Sequence, residues 1–213
     1  MSSEGTLLSI RNLRILSAFL LLWIVILAGI IVVLSVQNEP ETITLSSSVG
    51  QVIEQPLTDF TLIANSGEPL QLSDLRGKYT LLTFGYTHCP DVCPTTLLEF
   101  RRVKQELGDA ASGVNFVFVS VDPERDTPQV LDQYVRRFDP SFIGLQGDDA
   151  VLQTVKDEYG MIYALRENPD SGTGYLVEHT ASKYLIDPEG KLIRIYSFTT
   201  DAREIARELR KML

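Results

Sequence analysis

Two runs of consecutive apolar, aromatic and β-branched residues predict buried strands in the middle of the chain. The runs are residues 79–86 (YTLLTFGY) and 114–121 (VNFVFVSV). Neither alternates between apolar and polar positions, as a strand with one solvated face would. Apolar residues at helical spacing follow each run and predict helices at residues 92–108, 127–138 and 150–159. Strands that alternate with helices favour an α/β fold.

A hairpin and a last helix complete the pattern. Residues 183–186 and 192–196 flank the turn sequence DPEG (187–190), which has Pro and Gly where turns favour them. From Asp201, a good N-cap residue, an amphipathic pattern continues to Leu213. The order strand, helix, strand, helix, then hairpin and helix predicts a thioredoxin-like fold with a central mixed sheet flanked by helices.

A longer apolar stretch near the N-terminus predicts a transmembrane anchor. Residues 15–36 carry no charge, and a helix of that length reaches ~33 Å, which matches a hydrocarbon core of ~30 Å. A cleaved signal peptide is the alternative, but its apolar region runs only roughly 7–15 residues, and residues 35–38 (SVQN) make a poor cleavage site. Because Arg11 and Arg14 precede the stretch, the positive-inside rule places residues 1–14 in the cytoplasm and the following domain outside.

The rest of the chain divides where the composition changes. Residues 37–55 are polar and rich in Ser, which predicts a linker and leaves residues 56–213 for the folded domain. A bacterial inner membrane with this domain in the periplasm is the simplest location. Both cysteines would then lie in an oxidising compartment.

Composition narrows the classes of function. The 213 residues are 44% hydrophobic and 22% charged, which excludes a disordered chain. A formal net charge of -9 argues against a nucleic-acid-binding protein, which needs a basic face. With two Cys and two His, the chain is neither a disulfide-stapled miniprotein nor a zinc-cluster protein. Any thiol or metal chemistry must therefore use nearly all of these four residues.

The candidate chemistry lies just after the first predicted strand, in THCPDVCP (87–94). Cys89 is at the predicted strand-to-helix turn, where unpaired backbone N–H groups favour an anion, and Cys93 follows one helical turn later. At this spacing the two sulfurs can bond to each other or bind one soft metal ion together. A static structural disulfide is the plainer alternative, but bridging so short a loop stabilises a fold little.

His88 and His179 are the candidates for a third metal ligand. His88 is adjacent to Cys89, and we expect its side chain to point away from the cysteine pair. His179 lies in EHTA (178–181), before the first hairpin strand, and in a thioredoxin-like fold the loop that enters this strand faces the cysteine turn. A lone loop histidine is more often a hydrogen-bonded bystander than a ligand, but its position favours His179.

Three segments of the chain together carry a resemblance to a known family: FGYTHCPDVCPTTL (84–97), VSVDPERDTP (119–128) and YLVEHTASKYLIDPEGKL (175–192). On these segments the sequence resembles the SCO/SenC family of copper-binding assembly factors over about residues 56–213. The resemblance implies that Cys89, Cys93 and His179 bind one copper ion, Cu(I) or Cu(II). It also implies a membrane-anchored copper chaperone that supports assembly of the dinuclear copper centre of cytochrome c oxidase subunit II. A periplasmic thiol-disulfide reductant or another copper carrier is then a further partner.

Three alternatives remain beside a copper chaperone. One is a thiol-disulfide oxidoreductase that keeps the copper-site cysteines of subunit II reduced, with Cys89 as the attacking thiol and Cys93 as the resolving thiol. Against it, the cysteine spacing is wider than Cys-x-x-Cys, and the loop before residue 183 lacks the Pro that is usual in oxidoreductases of that fold. A peroxiredoxin has Thr three residues before its reactive Cys, where Tyr86 precedes Cys89. A closed structural zinc site requires four protein ligands, and only three are found. We therefore expect a metallochaperone rather than an enzyme.

Other polar and aromatic residues have simpler interpretations. Asp122, Arg125 and Asp126 predict a helix cap and loop salt bridges, or else a loop beside the metal. Asp91 is a first-turn carboxylate favoured by the helix dipole. The aromatics expected in the core or rim of the hairpin are Tyr175, Tyr184 and Tyr196.

Overall fold

The computed structural model describes residues 20–30, 50–161, 163–167, 175–179 and 181–213. The chain forms two compact units, residues 1–46 and 47–213. In the first unit the described residues form helix α1 (residues 20–30). Within the described residues, no helix reaches the length and hydropathy of a membrane span. The remainder of the predicted anchor, residues 15–19 and 31–36, lies outside them.

The second unit is built around a mixed sheet. Its described strands are β1 (Gln51–Pro56), β2 (Thr61–Ala64), β3 (Pro69–Gln71), β4 (Tyr79–Gly85), β5 (Val114–Ser120), β6 (Ile143–Gln146), β7 (Tyr163–Glu167), β8 (Tyr175–His179), β9 (Lys183–Ile186) and β10 (Lys191–Tyr196). Its helices are α2 (Val92–Leu107), α3 (Pro128–Val135), α4 (Asp149–Glu158) and α5 (Ala202–Met212), with 3-10 turns at Leu72–Leu75 and Gly108–Gly113. Eight strands form one sheet in the order β1-β10-β9-β4-β5-β6-β2-β3, while β7 and β8 form a separate hairpin.

The sheet is parallel at its centre and antiparallel outside it. Strand β4 pairs parallel with β5, which pairs parallel with β6, whereas β9 runs antiparallel to β4 on its other side. Apolar runs predicted these central strands because both of their faces are covered. The predicted α/β class with helices flanking a central mixed sheet is confirmed.

Aromatic contacts show which helix covers which face. The rings of Phe116 and Phe118 on β5 contact Phe100 of α2 and Tyr134 of α3, with centroids 5.9 and 5.6 Å apart. Helix α5 packs beside α2. The opposite face is covered by Tyr159 at the end of α4, whose ring meets Phe84 of β4 edge-on at 5.2 Å. The core is therefore closed on both sides of β4, the strand that leads to the cysteines.

Several elements differ from the predictions, including strands β2, β3 and β6, which were not predicted. Residues 51–55, predicted as part of a polar linker, belong to the edge strand β1, whose backbone pairs with β10 although its side chains are mostly exposed. Helix α3 ends at Val135 instead of Phe138, because residues 137 and 138 donate to carbonyls only three residues back. The hairpin of β7 and β8 was not predicted, and it makes His179 the last residue of a strand instead of a loop residue.

The hairpin of β9 and β10 is confirmed, and its turn shows why the sequence predicts it. The backbone N–H groups of Glu189 and Lys191 donate to the Asp187 carboxylate, and Gly190 takes the positive φ of 90° that the turn requires. Tyr184 and Tyr196 are fully buried, as expected of core aromatics. The side chain of Tyr175 is not among those that the structure describes.

Candidate functional site

The cysteine turn joins the end of β4 to the start of α2. The backbone N–H of Cys89 donates to the carbonyl of Tyr86 at 3.3 Å, which closes the turn. Helix α2 begins at Val92, so Cys93 lies in its first turn. The backbone N–H of Cys93 donates to the Cys89 sulfur at 3.5 Å. The Cys89 sulfur therefore sits against a helix N-terminus, which favours its thiolate.

The two cysteines differ in exposure. Cys93 is buried, with 2% of its surface exposed, while Cys89 is partly exposed, and no disulfide joins them. A hydrogen bond to the Cys89 sulfur, together with burial and the charge of Cys89, raises the pKa of the Cys93 thiol far above its ordinary value. A metal ion that enters the pair must therefore displace the proton of Cys93.

Gly85, the last residue of β4, makes room for the buried sulfur. A Cβ added at this position would lie 2.8 Å from the Cys93 sulfur and 2.6 Å from the Phe118 ring. A larger residue would therefore push the sulfur or the ring out of place. This close approach was not predicted from the sequence, where Gly85 is only one member of an apolar run.

Asp126 holds the cysteine turn from the next loop. Its carboxylate is fully buried and accepts hydrogen bonds from the backbone N–H of Thr87 at 2.9 Å and from the Thr87 hydroxyl at 2.6 Å. The hydroxyl of Ser120, at the end of β5, donates to it at 2.7 Å. The turn is thus fixed two residues before Cys89. The sequence pattern indicated Asp126 as a candidate, but no signal pointed to its partner Thr87.

The loop that contains Asp122, Arg125 and Asp126 was interpreted as a helix cap with salt bridges, and the structure corrects the helix cap. The N-cap of α3 is Thr127, whose hydroxyl accepts from the N–H of Val130, so neither Asp122 nor Asp126 caps the helix. The predicted loop salt bridge is present between Arg125 and Asp122, both largely buried. The Arg125 guanidinium also lies 5.8 Å from the centre of the Tyr86 ring. The loop therefore packs directly against the cysteine turn.

His88 contacts Thr87 and Asp126, the two residues that hold the cysteine turn. Its Nδ1 lies 3.1 Å from the Thr87 hydroxyl and 3.8 Å from a carboxylate oxygen of Asp126. Among the described residues, no group of three or more His, Cys, Asp or Glu side chains is arranged to hold a metal ion. Asp91 is exposed and lies at the N-cap position of α2, where its side chain makes no capping hydrogen bond.

His179 ends strand β8, and its side chain lies outside the description. The strand that follows it is informative, because β9 begins at Lys183 opposite Thr83, near the end of β4. The Thr83 hydroxyl donates to the carbonyl of Ser182 at 3.0 Å. The segment that enters β9 therefore lies at the same end of the sheet as the cysteine turn. The backbone of His179 is three residues from Ser182, a reach of roughly 11 Å at most.

A buried ion pair stabilises the same region. Lys183 is fully buried, and its ammonium group contacts the carboxylate of Glu99 on α2. It also donates to the carbonyls of Phe198 at 3.0 Å and Thr200 at 3.1 Å. The pair ties the helix that carries Cys93 to the strand that follows His179. No sequence pattern predicted it, because a Lys in a strand is ordinarily exposed.

The sheet order, the flanking helices and the two thiols at a strand-to-helix turn define a thioredoxin-like protein with a Cys-x-x-x-Cys site. The sequence model of the SCO1/SenC family matches residues 52–213. An SCO2-like protein from Rickettsia felis is 36% identical over 152 residues, which are 71% of this chain and 74% of that protein. The chain belongs to the SCO1/SenC family.

Solved structures support the same assignment. The structure of Bradyrhizobium japonicum ScoI with copper bound is 39% identical, with a TM-score of 0.67, and the match covers 74% of this chain and 99% of that one. Yeast Sco1 with copper bound is 28% identical, with a TM-score of 0.66 over 74% of this chain and 87% of that one. Homologous Sco structures thus have copper bound, which confirms the copper prediction at the level of the family.

Proposed function

We propose that this protein is a copper chaperone that binds one copper ion through Cys89, Cys93 and His179 and supports assembly of the dinuclear copper centre of cytochrome c oxidase subunit II. The contact between the Cys89 sulfur and the first turn of α2, beside the Cys93 thiol, carries the proposal. SCO family proteins take part in the copper assembly of cytochrome c oxidase, and relatives hold copper in their structures.

The donor set suits copper that must be released again. Thiolate sulfur selects copper(I), and imidazole serves both copper(I) and copper(II). The partly exposed Cys89 is the position where a thiolate of the acceptor can first reach the ion. Copper would then leave by ligand exchange, one protein sulfur at a time. The buried Cys93, shielded from solvent, would be the last sulfur to release it.

A thiol-disulfide oxidoreductase is the second candidate, because the backbone N–H of Cys93 donates to the Cys89 sulfur at 3.5 Å and so sets the two cysteines side by side. Cys89, which is partly exposed, would attack a disulfide of the oxidase subunit, and Cys93 would resolve the mixed disulfide. The reaction would join Cys89 and Cys93 by a disulfide, and a periplasmic reductant would restore both thiols.

The location remains part of the proposal. Residues 15–36 would anchor the chain in a bacterial inner membrane, with residues 1–14 in the cytoplasm and the domain in the periplasm. N-terminal sequencing of the mature protein tests this directly. A mature chain that begins after residue 36 would refute the anchor.

Copper stoichiometry tests the ligands. We expect the reduced full-length chain to bind about one copper(I), and Cys89→Ser or Cys93→Ser to abolish tight binding, because a single thiolate cannot hold the ion against competing thiols. Full-strength binding by the double Cys→Ser variant would contradict the proposal.

The two histidines separate the two candidate functions. His179→Ala should retain part of the copper(I) affinity, since copper(I) tolerates two ligands, but should lose most of the copper(II) affinity. His88→Ala is the matched control and should change neither, because its ring is bound to Thr87 and Asp126. Cells that carry only His179→Ala should fail to mature cytochrome oxidase, although the dithiol still cycles. Normal oxidase activity there, with Cys89→Ser inactive, would favour the oxidoreductase.

A further inference from the structure

The outward face of α2 begins at the cysteine turn and combines an exposed apolar residue with two exposed arginines. Pro94 precedes Leu98 by four residues, and Arg101 and Arg102 follow it by three and four, so these residues lie on one side of the helix. Leu98 is 44% exposed, a large apolar side chain in the middle of this face. The four residues are called the α2 face below.

The α2 face is close enough to the thiols to be covered by any protein that takes copper from them. The Cys89 sulfur lies against the N–H of Cys93, and the two arginines are eight and nine residues further along the helix. At ~1.5 Å per residue this is roughly 12–14 Å. An interface of standard size buries ~800 Å² on each partner, a disc of roughly 16 Å radius. A partner centred on Cys89 therefore reaches both arginines.

Two arginines lie on the α2 face, and the exposed carboxylates of Asp91 and Glu106 on the same side of the chain segment form no ion pair with them in the described part of the domain. Neither Arg101 nor Arg102 forms an ion pair there, although both are exposed. Basic residues nearby are paired, Lys104 with Asp139 at 2.7 Å and Arg136 with Asp132 at 2.8 Å. The chain as a whole carries a net charge of -9. An acidic protein that exposes two unpaired arginines beside its site offers a local complement to acidic side chains.

We propose that the α2 face is the docking surface for the copper acceptor, and that the acceptor presents acidic side chains to Arg101 and Arg102 around an apolar contact with Leu98. This inference rests on the proposed function, because it takes the protein that receives copper as its partner. An apolar contact is typical of the centre of a protein interface, and charges towards its rim govern the rate of association and its salt dependence.

The test compares two charge reversals of equal size in the full-length chain. One variant carries Arg101→Glu and Arg102→Glu. The matched control carries Arg210→Glu and Lys211→Glu in the last turn of α5, which lies at the other end of the sheet, where Tyr79 at the start of β4 donates to the carbonyl of Met212 at 3.3 Å. The probe is the soluble copper domain of cytochrome c oxidase subunit II. Its affinity and its rate of copper uptake are measured at low and at physiological ionic strength.

We expect the α2-face reversal to weaken association with the probe about tenfold or more at low salt and to remove most of its salt dependence. Copper transfer to dithiothreitol, a small neutral dithiol, should be unchanged. Leu98→Ala should weaken association at both ionic strengths, because an apolar contact is not screened by salt. The control reversal should retain nearly the wild-type affinity.

Equal losses in the two reversals would overturn the proposal, because they would reflect net charge alone. Unchanged affinity in the α2-face variant would also overturn it, as would binding to anionic lipid vesicles that depends on these arginines while binding to the probe does not. If the wild-type chain binds the probe through this face but transfers no copper, the docking surface stands and the chaperone function fails. If the wild-type chain does not bind the probe, the docking surface is refuted.

Discussion

Replacing Asp126 by Asn should destabilise the domain by removing the charge that holds the cysteine turn. The carboxylate is fully buried and accepts three hydrogen bonds, two from Thr87 and one from Ser120, at 2.6 to 2.9 Å. Asparagine has the same shape, but it has one acceptor oxygen and one amide that only donates. A hydroxyl that faces the amide must then turn to accept from it, and its own proton loses the acceptor that Asp126 supplied.

The magnitude follows from these contacts. A hydrogen bond to a charged group contributes about 1.5–3 kcal/mol, and a buried donor left without an acceptor costs about 1–3 kcal/mol. Asn retains part of the network, so we expect Asp126→Asn to lower the free energy of unfolding by about 2–4 kcal/mol. Thr87→Val removes only the hydroxyl donor and should cost about 1–2 kcal/mol. The two changes share a hydrogen bond, so the double variant should lose less than their sum.

Urea unfolding of the wild type, both single variants and the double variant measures these values, provided that the slope of free energy against denaturant stays constant. Asp126→Ala would add a cavity, so the Asn variant is the cleaner test. A loss below about 1 kcal/mol for Asp126→Asn would refute the reasoning. Strict additivity with Thr87→Val would show that the hydrogen bond between these two residues contributes little.

Three further predictions concern the same region. Lys183→Met leaves the Glu99 carboxylate without its counter-charge and should cost about 3 kcal/mol or more in urea unfolding; near-wild-type stability would contradict it. Gly85→Ala forces a methyl group against the Cys93 sulfur and the Phe118 ring, so we expect a loss of about 1–3 kcal/mol and weaker copper binding in a competition assay. Because the pKa of Cys93 is raised, its thiol stays protonated through neutral pH, and copper must displace that proton. Copper(I) affinity should therefore fall at least about tenfold for each unit by which the pH is lowered. An affinity that does not change with pH would refute this.

Much of the fold follows from local signals in the sequence. Strands β4 and β5 are continuous apolar runs because they are buried on both faces, and the turn at residues 187–190 forms from residues that favour that backbone in any context. The closeness of the two cysteines is equally local, since Cys93 in the first turn of α2 donates its N–H to the sulfur of Cys89 four residues earlier.

The tertiary structure alone decided what supports this turn. Asp126 lies 39 residues from Thr87, and they meet because the parallel pairing of β4 and β5 sets Gly85 beside Ser120, so that the loops leaving the two strands emerge side by side. Strand β1 also depends on the tertiary structure, because residues 51–56 lack an apolar pattern and become a strand by pairing with β10. Burial of Lys183 likewise depends on Glu99, which belongs to another element. Local propensity acts over a few residues, whereas these partners are chosen by the order of strands in the sheet, and that order is a property of the whole chain.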